Sequence, residues 1–201
     1  MWLRLIVGFS VLALFGCTKG QSSPDIASPT GPSNFDVSAV ANATAAGRAA
    51  SVPREVMVNA KDACDPDTFN AAIAPGTCVG TGGGVTFQHF IDALTRLGSI
   101  GSWHFAPPNV QARVGQSFLV TNRGGEVHTF TEVEEFGGGI VPMLNDLAHV
   151  PNVAPECKTL EPDDFVAPGA TYVEGIEEAG VEKYQCCIHP WMRLEAHVSD
   201  K

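Results

Sequence analysis

Positive charge is scarce in this 201-residue chain. Its 12 Lys and Arg face 22 Asp and Glu, for a formal net charge of −10. That balance argues against binding nucleic acid or anionic lipid headgroups, and it suits either plain solubility or a basic partner protein. Long apolar runs are also lacking. The one candidate, MWLRLIVGFSVLALFG over residues 1–16, is too short to span a bilayer comfortably. It carries a lone early cation, Arg4, ahead of its apolar stretch, which is the layout of an export signal. There is no internal repeat, and methionine is limited to four residues, which disfavours a Met-rich site.

The residues that close this run, Leu14-Phe15-Gly16-Cys17, resemble a bacterial lipoprotein box, in which the chain is cut before the cysteine and that thiol is acylated. The resemblance implies a mature chain beginning at Cys17 and lipid-anchored outside the cytoplasm, in the periplasm or at the cell surface, where disulfides persist. Residues 17–51 are rich in Ser, Ala, Pro, Gly and Thr, with Phe35 as their single aromatic. So little apolar surface cannot offset chain entropy, and the segment reads as a flexible tether.

Beyond residue 51 the texture changes. In VTFQHFIDALTRLG, Phe87, Phe90, Ile91, Leu94 and Leu97 recur at helical spacing, with Thr86 as N-cap and Gly98 as stop. DPDTFNAAIAPGTC reads as turns around a short helical piece. Residues 52–99 therefore read as a helical and turn-rich extension. From residue 100 to 201, strand-like runs alternate with Gly, Pro and Asn: WHFAPPNVQARVG, QSFLVTN, EVHTFTEVEEF, ATYVEGI, VEKYQCC and MRLEAHV. Short strands at this spacing predict an all-β sandwich with the helical part as an addition.

The chemistry concentrates in YQCCIHPWMR, residues 184–193. His189 lies three residues after Cys186 and Met192 six. Two His and one Cys in a trigonal plane with a long axial Met are the donors of a blue-copper electron-transfer centre, and three of those four types fall within this loop. Pro190 stiffens it by confining His189 to extended backbone. The remaining ligand must be a distant histidine. His128, after a Gly-Gly turn in NRGGEVHTF, is the first candidate and His104 the second. His89, His149 and His197 suit structural or surface roles. The competing reading of CCIHPWM is a disulfide cysteine beside an unrelated histidine and a core methionine.

YQCCIHPWM resembles the copper loop of the cupredoxins, whose compact members carry Tyr-x-Cys-x-x-His-Pro-aromatic-Met, and NRGGEVHTF resembles their upstream ligand segment. The resemblance covers about residues 100–198. It implies a Greek-key, cupredoxin-like β-sandwich holding one type 1 copper through His128, Cys186, His189 and Met192. It also implies a membrane-tethered electron carrier rather than an enzyme, with His189 reaching the surface in an apolar patch to which Pro190 and Trp191 contribute, and with a redox partner that the acidic surface would suit if basic. Two rivals are a copper chaperone or store and a copper-dependent redox enzyme. The second is disfavoured because no His-x-His pair occurs. With Cys17 assigned to lipid and Cys186 to copper, Cys64, Cys78, Cys157 and Cys187 remain, and four cysteines allow three pairings. Cys64 and Cys78 bracket a turn-rich segment that can close on itself, which leaves Cys157 with Cys187. The long connection GGGIVPMLNDLAHVPNVAPEC is unusual for the family, and packing as a loop is expected of it rather than delivery of Met143 or His149 to the metal.

Overall fold

The computed structural model describes residues 54–200. The expected signal segment at 1–16, the expected acylation site Cys17 and the expected tether to residue 51 lie outside them. Ten strands and three helices follow in order: β1 (Glu55–Lys61), α1 (Pro66–Ala72), α2 (Phe87–Leu97), β2 (His104–Ala106), β3 (Asn109–Arg113), β4 (Ser117–Asn122), β5 (His128–Thr129), β6 (Thr131–Val133), α3 (Pro142–Leu147), β7 (Phe165–Val166), β8 (Thr171–Gly175), β9 (Gly180–Gln185) and β10 (Arg193–Ser199). One sheet runs β2-β1-β4-β8, the other β3-β10-β9-β6, and β5 pairs with β7 in a two-stranded ribbon. The chain passes repeatedly from one sheet to the other, and the architecture is the all-β Greek-key sandwich expected from the strand spacing. Among the described residues no helix is long and apolar enough to cross a membrane.

Alternation builds the core. Along β10, Leu194, Ala196 and Val198 point inward while the residues between them stay more exposed, and β3 buries Val110 and Ala112 in the same rhythm. Phe105, Phe118, Phe130 and Tyr184 close the middle, with the Phe130 and Tyr184 rings stacked at 4.4 Å.

The extension at 52–99 is not separate from this sandwich, which corrects the boundary placed at residue 99. Glu55–Lys61 lies between β2 and β4, antiparallel to the first and parallel to the second over Glu55↔Ser117 to Ala60↔Asn122. Its inward residues Val58 and Ala60 are fully buried, so it is a central strand. The two helices keep the expected signals. The Thr86 side chain accepts from the His89 amide, and Gly98 closes α2 at φ 69°. The Asp65 carboxylate caps α1, where Pro66 occupies the first turn. The buried face of α2 is narrower than the periodicity predicts, holding Phe90, Ala93 and Leu94, while Leu97 stands exposed in the last turn.

Phe69 of α1 joins the extension to the sandwich. Its ring lies 5.3 Å from Phe87, 5.3 Å from Phe90 and 5.9 Å from Trp103, with no exposed surface. Phe69→Ala is expected to cost about 3–5 kcal/mol, because such a cavity closes only partly. Denaturant unfolding reads this as a lower midpoint at unchanged slope.

Both disulfides take the pairing expected: Cys64–Cys78 and Cys157–Cys187, with Cys186 the free cysteine among the described residues. The long connection packs as a loop. The Ile140 amide donates to the Cys187 carbonyl at 2.7 Å, while Met143 and His149 are exposed.

Candidate metal centre

The loop between β9 and β10 is closed at both ends by backbone. The Cys186 amide donates to the Met192 carbonyl at 3.0 Å, and the Met192 amide to the His189 carbonyl at 2.9 Å. Cys186 turns into the main core, whereas Cys187 joins a smaller cluster with Val133, Ala154 and Cys157. The adjacent cysteines thus serve opposite sides. Thr129 bridges the two ligand segments, since its hydroxyl accepts from the Cys187 amide at 2.8 Å.

His128, Cys186 and His189 converge, all buried. Cys186 Sγ lies 3.8 Å from His128 Nδ1 and 3.7 Å from His189 Nδ1. Metal–sulfur and metal–imidazole bonds of about 2.3 and 2.0–2.1 Å, taken at 120°, put sulfur and nitrogen about 3.8 Å apart. The donor set therefore fits one first-row transition ion in a trigonal plane. Met192 is fully buried in the same core cluster. The other histidines stay outside this cluster: His104 on β2 opposite Lys61, His89 on α2, His149 in the α3 connection and His197 on β10.

The surroundings favour a thiolate. The Thr129 amide points at Cys186 Sγ from 3.4 Å and the His189 amide from 3.5 Å. Burial alone would push the thiol up, but contacts with His128 and His189 outweigh it and hold Cys186 well below the ordinary thiol range.

Two residues that the sequence reading does not assign to the site stand behind the histidines. Asp62, just past β1, places Oδ2 2.9 Å from His128 Nε2 with no side-chain exposure. It also accepts from the amides of Gly125 at 2.9 Å and Glu126 at 3.0 Å. Burial raises Asp62, yet the bond to His128 and these amides leave it below the usual carboxylate range. An ionised carboxylate only accepts, so His128 Nε2 carries a proton toward Asp62, and Nδ1 is the nitrogen that faces Cys186. Burial would lower His128, but bonds to Asp62 and Cys186, with their charges, push it up to about 9.

The second is Glu126. Its Oε2 accepts from Trp103 Nε1 at 2.6 Å and lies 3.6 Å from His189 Nε2. Asn122 anchors this turn, donating to the carbonyls of Glu126 at 2.7 Å and Val166 at 2.8 Å. The turn needs its glycines: a Cβ at Gly124 would collide with the Asp62 carboxylate, and one at Gly125 with the Val79 carbonyl. Gly124→Ala is expected to dislodge Asp62 from His128 and to weaken metal uptake by the purified variant about 10–100-fold.

His189 does not reach the surface, contrary to the family-based expectation. It is 2% exposed. Trp191 lies against it at 5.5 Å between ring centroids, and Phe90 of α2 covers Trp191 at 5.8 Å. Helix α2 of the extension thus packs over the tryptophan that lies against His189.

No family model matches the chain, and no curated protein does. Among solved structures it is similar to a purple cupredoxin from Nitrosopumilus maritimus, at 23% identity over 50% of this chain and 86% of that one, with a TM-score of 0.36. It is also similar to a mutant of amicyanin in its reduced Cu(I) form, at 22% identity over 50% and 77%, TM-score 0.34. An oxidised amicyanin mutant gives 20% identity over 50% and 77%, TM-score 0.34. At these values the functional reading rests on the geometry of the site itself.

Proposed function

We propose that the chain is a single-copper electron-transfer protein, working outside the cytoplasm and tethered to a membrane through an acylated Cys17. The observation that carries the copper reading is the pair of sulfur–nitrogen separations, 3.8 and 3.7 Å, among three buried donors. His128, Cys186 and His189 would hold the ion and Met192 would stand as the weak fourth donor. The bound copper supplies one-electron exchange between Cu(I) and Cu(II). The protein's part is to keep the ligands still: hydrogen bonds hold the His128 imidazole and the sulfur, and Trp191 packs on His189, so little rearranges between oxidation states.

Burial of the donors weighs against a copper chaperone or store, because handover requires a ligand that a partner can reach. A redox enzyme would need an open coordination position beside the metal, and Trp191 and Phe90 roof the His189 side.

The partner in this reading is a basic redox protein. Glu132, Glu174, Glu177, Glu178 and Glu182 line one hollow. Burial, and then repulsion from neighbouring glutamates, raises the carboxyl of Glu132, and burial raises Glu182 against the opposing bond from the Tyr184 hydroxyl. Electron exchange with a basic partner is expected to slow steeply as salt is added, since steering by such a face is screened.

The test is the absorption spectrum of the purified Cu(II) protein at one equivalent of metal. Intense thiolate-to-copper charge transfer supports the carrier, and a colourless protein taking up only Cu(I) overturns it. The intact mass of membrane-extracted protein tests the anchor: a diacylglyceryl adduct on Cys17 is expected, and a free thiol there removes that part.

A further inference from the structure

Resting on that copper reading, we infer that Asp62 and Glu126 act as positioning residues that bias the centre toward Cu(II), holding its reduction potential low. Each ligand histidine has its outer nitrogen directed at a buried carboxylate: His128 at Asp62, 2.9 Å, and His189 at Glu126, 3.6 Å. The Asp62 side chain has no exposure and that of Glu126 has 9%. Neither carboxylate faces a lysine or arginine in an ion pair among the described residues. Their charge is therefore directed through the imidazoles toward the metal.

Two effects act in the same direction. A carboxylate accepting the Nε2 proton makes the imidazole a stronger donor through Nδ1. Uncompensated buried anions also attract a dipositive ion more than a monopositive one, in surroundings where water screens little. With the thiolate, two carboxylates would place three anionic groups around one copper. Asp62 dominates, because it touches its histidine directly and its bonds to Gly125 and Glu126 favour its ionised form. Glu126 sits farther from its histidine, at 3.6 Å rather than 2.9 Å.

These groups do not arrive from the ligand loop. Asp62 hangs from the end of β1, beside the Cys64–Cys78 disulfide, whose sulfurs pack on Gly125. Glu126 is held by Trp103, which leans on Phe69 and Phe90 at 5.9 and 4.9 Å. The extension thus sets both outer nitrogens at once.

The experiment measures the midpoint potential of the copper-loaded full chain by redox titration of its charge-transfer band, for the parent protein, Asp62→Asn and Glu126→Gln. Asp62→Asn is expected to shift the Cu(II)/Cu(I) equilibrium at least tenfold toward Cu(I), equivalent to 59 mV or more upward, with the band still present. Glu126→Gln is expected to shift it the same way by less. Asparagine must turn its amide toward either the ring or the backbone amides, so Glu126→Gln keeps the test alive if Asp62→Asn does not fold. Potentials unchanged within twofold in the variants that fold, or moved downward, overturn the inference. A second readout uses the metal-free protein: a slowly exchanging His128 Nε2 proton in NMR, lost in Asp62→Asn, is expected, and its absence in the parent protein also overturns it. A parent protein that takes up no copper defeats the function proposed above, whereas normal copper uptake with unmoved potentials defeats this inference alone.

Discussion

Cys186→Ser is expected to erase the thiolate-to-copper band and to weaken Cu(II) binding by more than the 10–100-fold typical of losing an outer partner. A serine side chain is smaller than cysteine and fits the buried position, so the apo fold should lose only about 1 kcal/mol. It does not ionise near neutral pH, and the site then lacks the soft anionic donor that distinguishes it from an ordinary histidine pair. Metal titration followed by absorption, beside a thermal melt of the apo protein, separates loss of the site from loss of the fold. Retained colour and one-to-one stoichiometry would mean that the sulfur at this position is not a ligand.

The neighbouring cysteine should respond in the opposite way. Replacing Cys157 and Cys187 together by alanine removes a cross-link between positions 30 apart in sequence. Constraint of the unfolded chain by such a loop is worth roughly 3.5 kcal/mol, and Tm should fall by roughly 10 °C. The blue band should survive, because Cys187 is also anchored through its backbone. Its amide donates to Thr129 Oγ1 at 2.8 Å and its carbonyl accepts from Ile140 at 2.7 Å, and neither contact involves the sulfur. An unchanged melt would show that the cross-link is dispensable, and a lost band would show that the two cysteines are not independent.

Local pattern foretold part of this site. Cys186, His189 and Met192 lie within one short loop, and a tight turn brings ligands together whatever surrounds it. The caps of α2, Thr86 and Gly98, were readable because capping depends on residues three or four apart. Parity left four cysteines for disulfides once two had other roles, and the turn-rich segment between Cys64 and Cys78 selected among the three pairings. β1 was missed although Val56, Val58 and Ala60 alternate, because a strand that inserts between β2 and β4 is recognised by its pairing and not by its seven residues. Ribbon strand β7, two residues long, has no sequence signal.

Asp62 is 66 residues from the histidine it orients, and in sequence it is one acidic residue among 22. Glu126, two positions before His128, had a clue in strand alternation, but its partner Trp103 is 23 residues away. The burial of His189 depends on Phe90 of a helix almost a hundred positions upstream, so no reading of the loop could find it. The sequence alone therefore pointed to candidate donors in the 186–192 loop, since ligand chemistry and short-range spacing are properties of a few consecutive residues. The tertiary structure decided which charges stand behind those atoms and whether solvent reaches them, since electrostatics and burial are set by whatever the fold brings alongside.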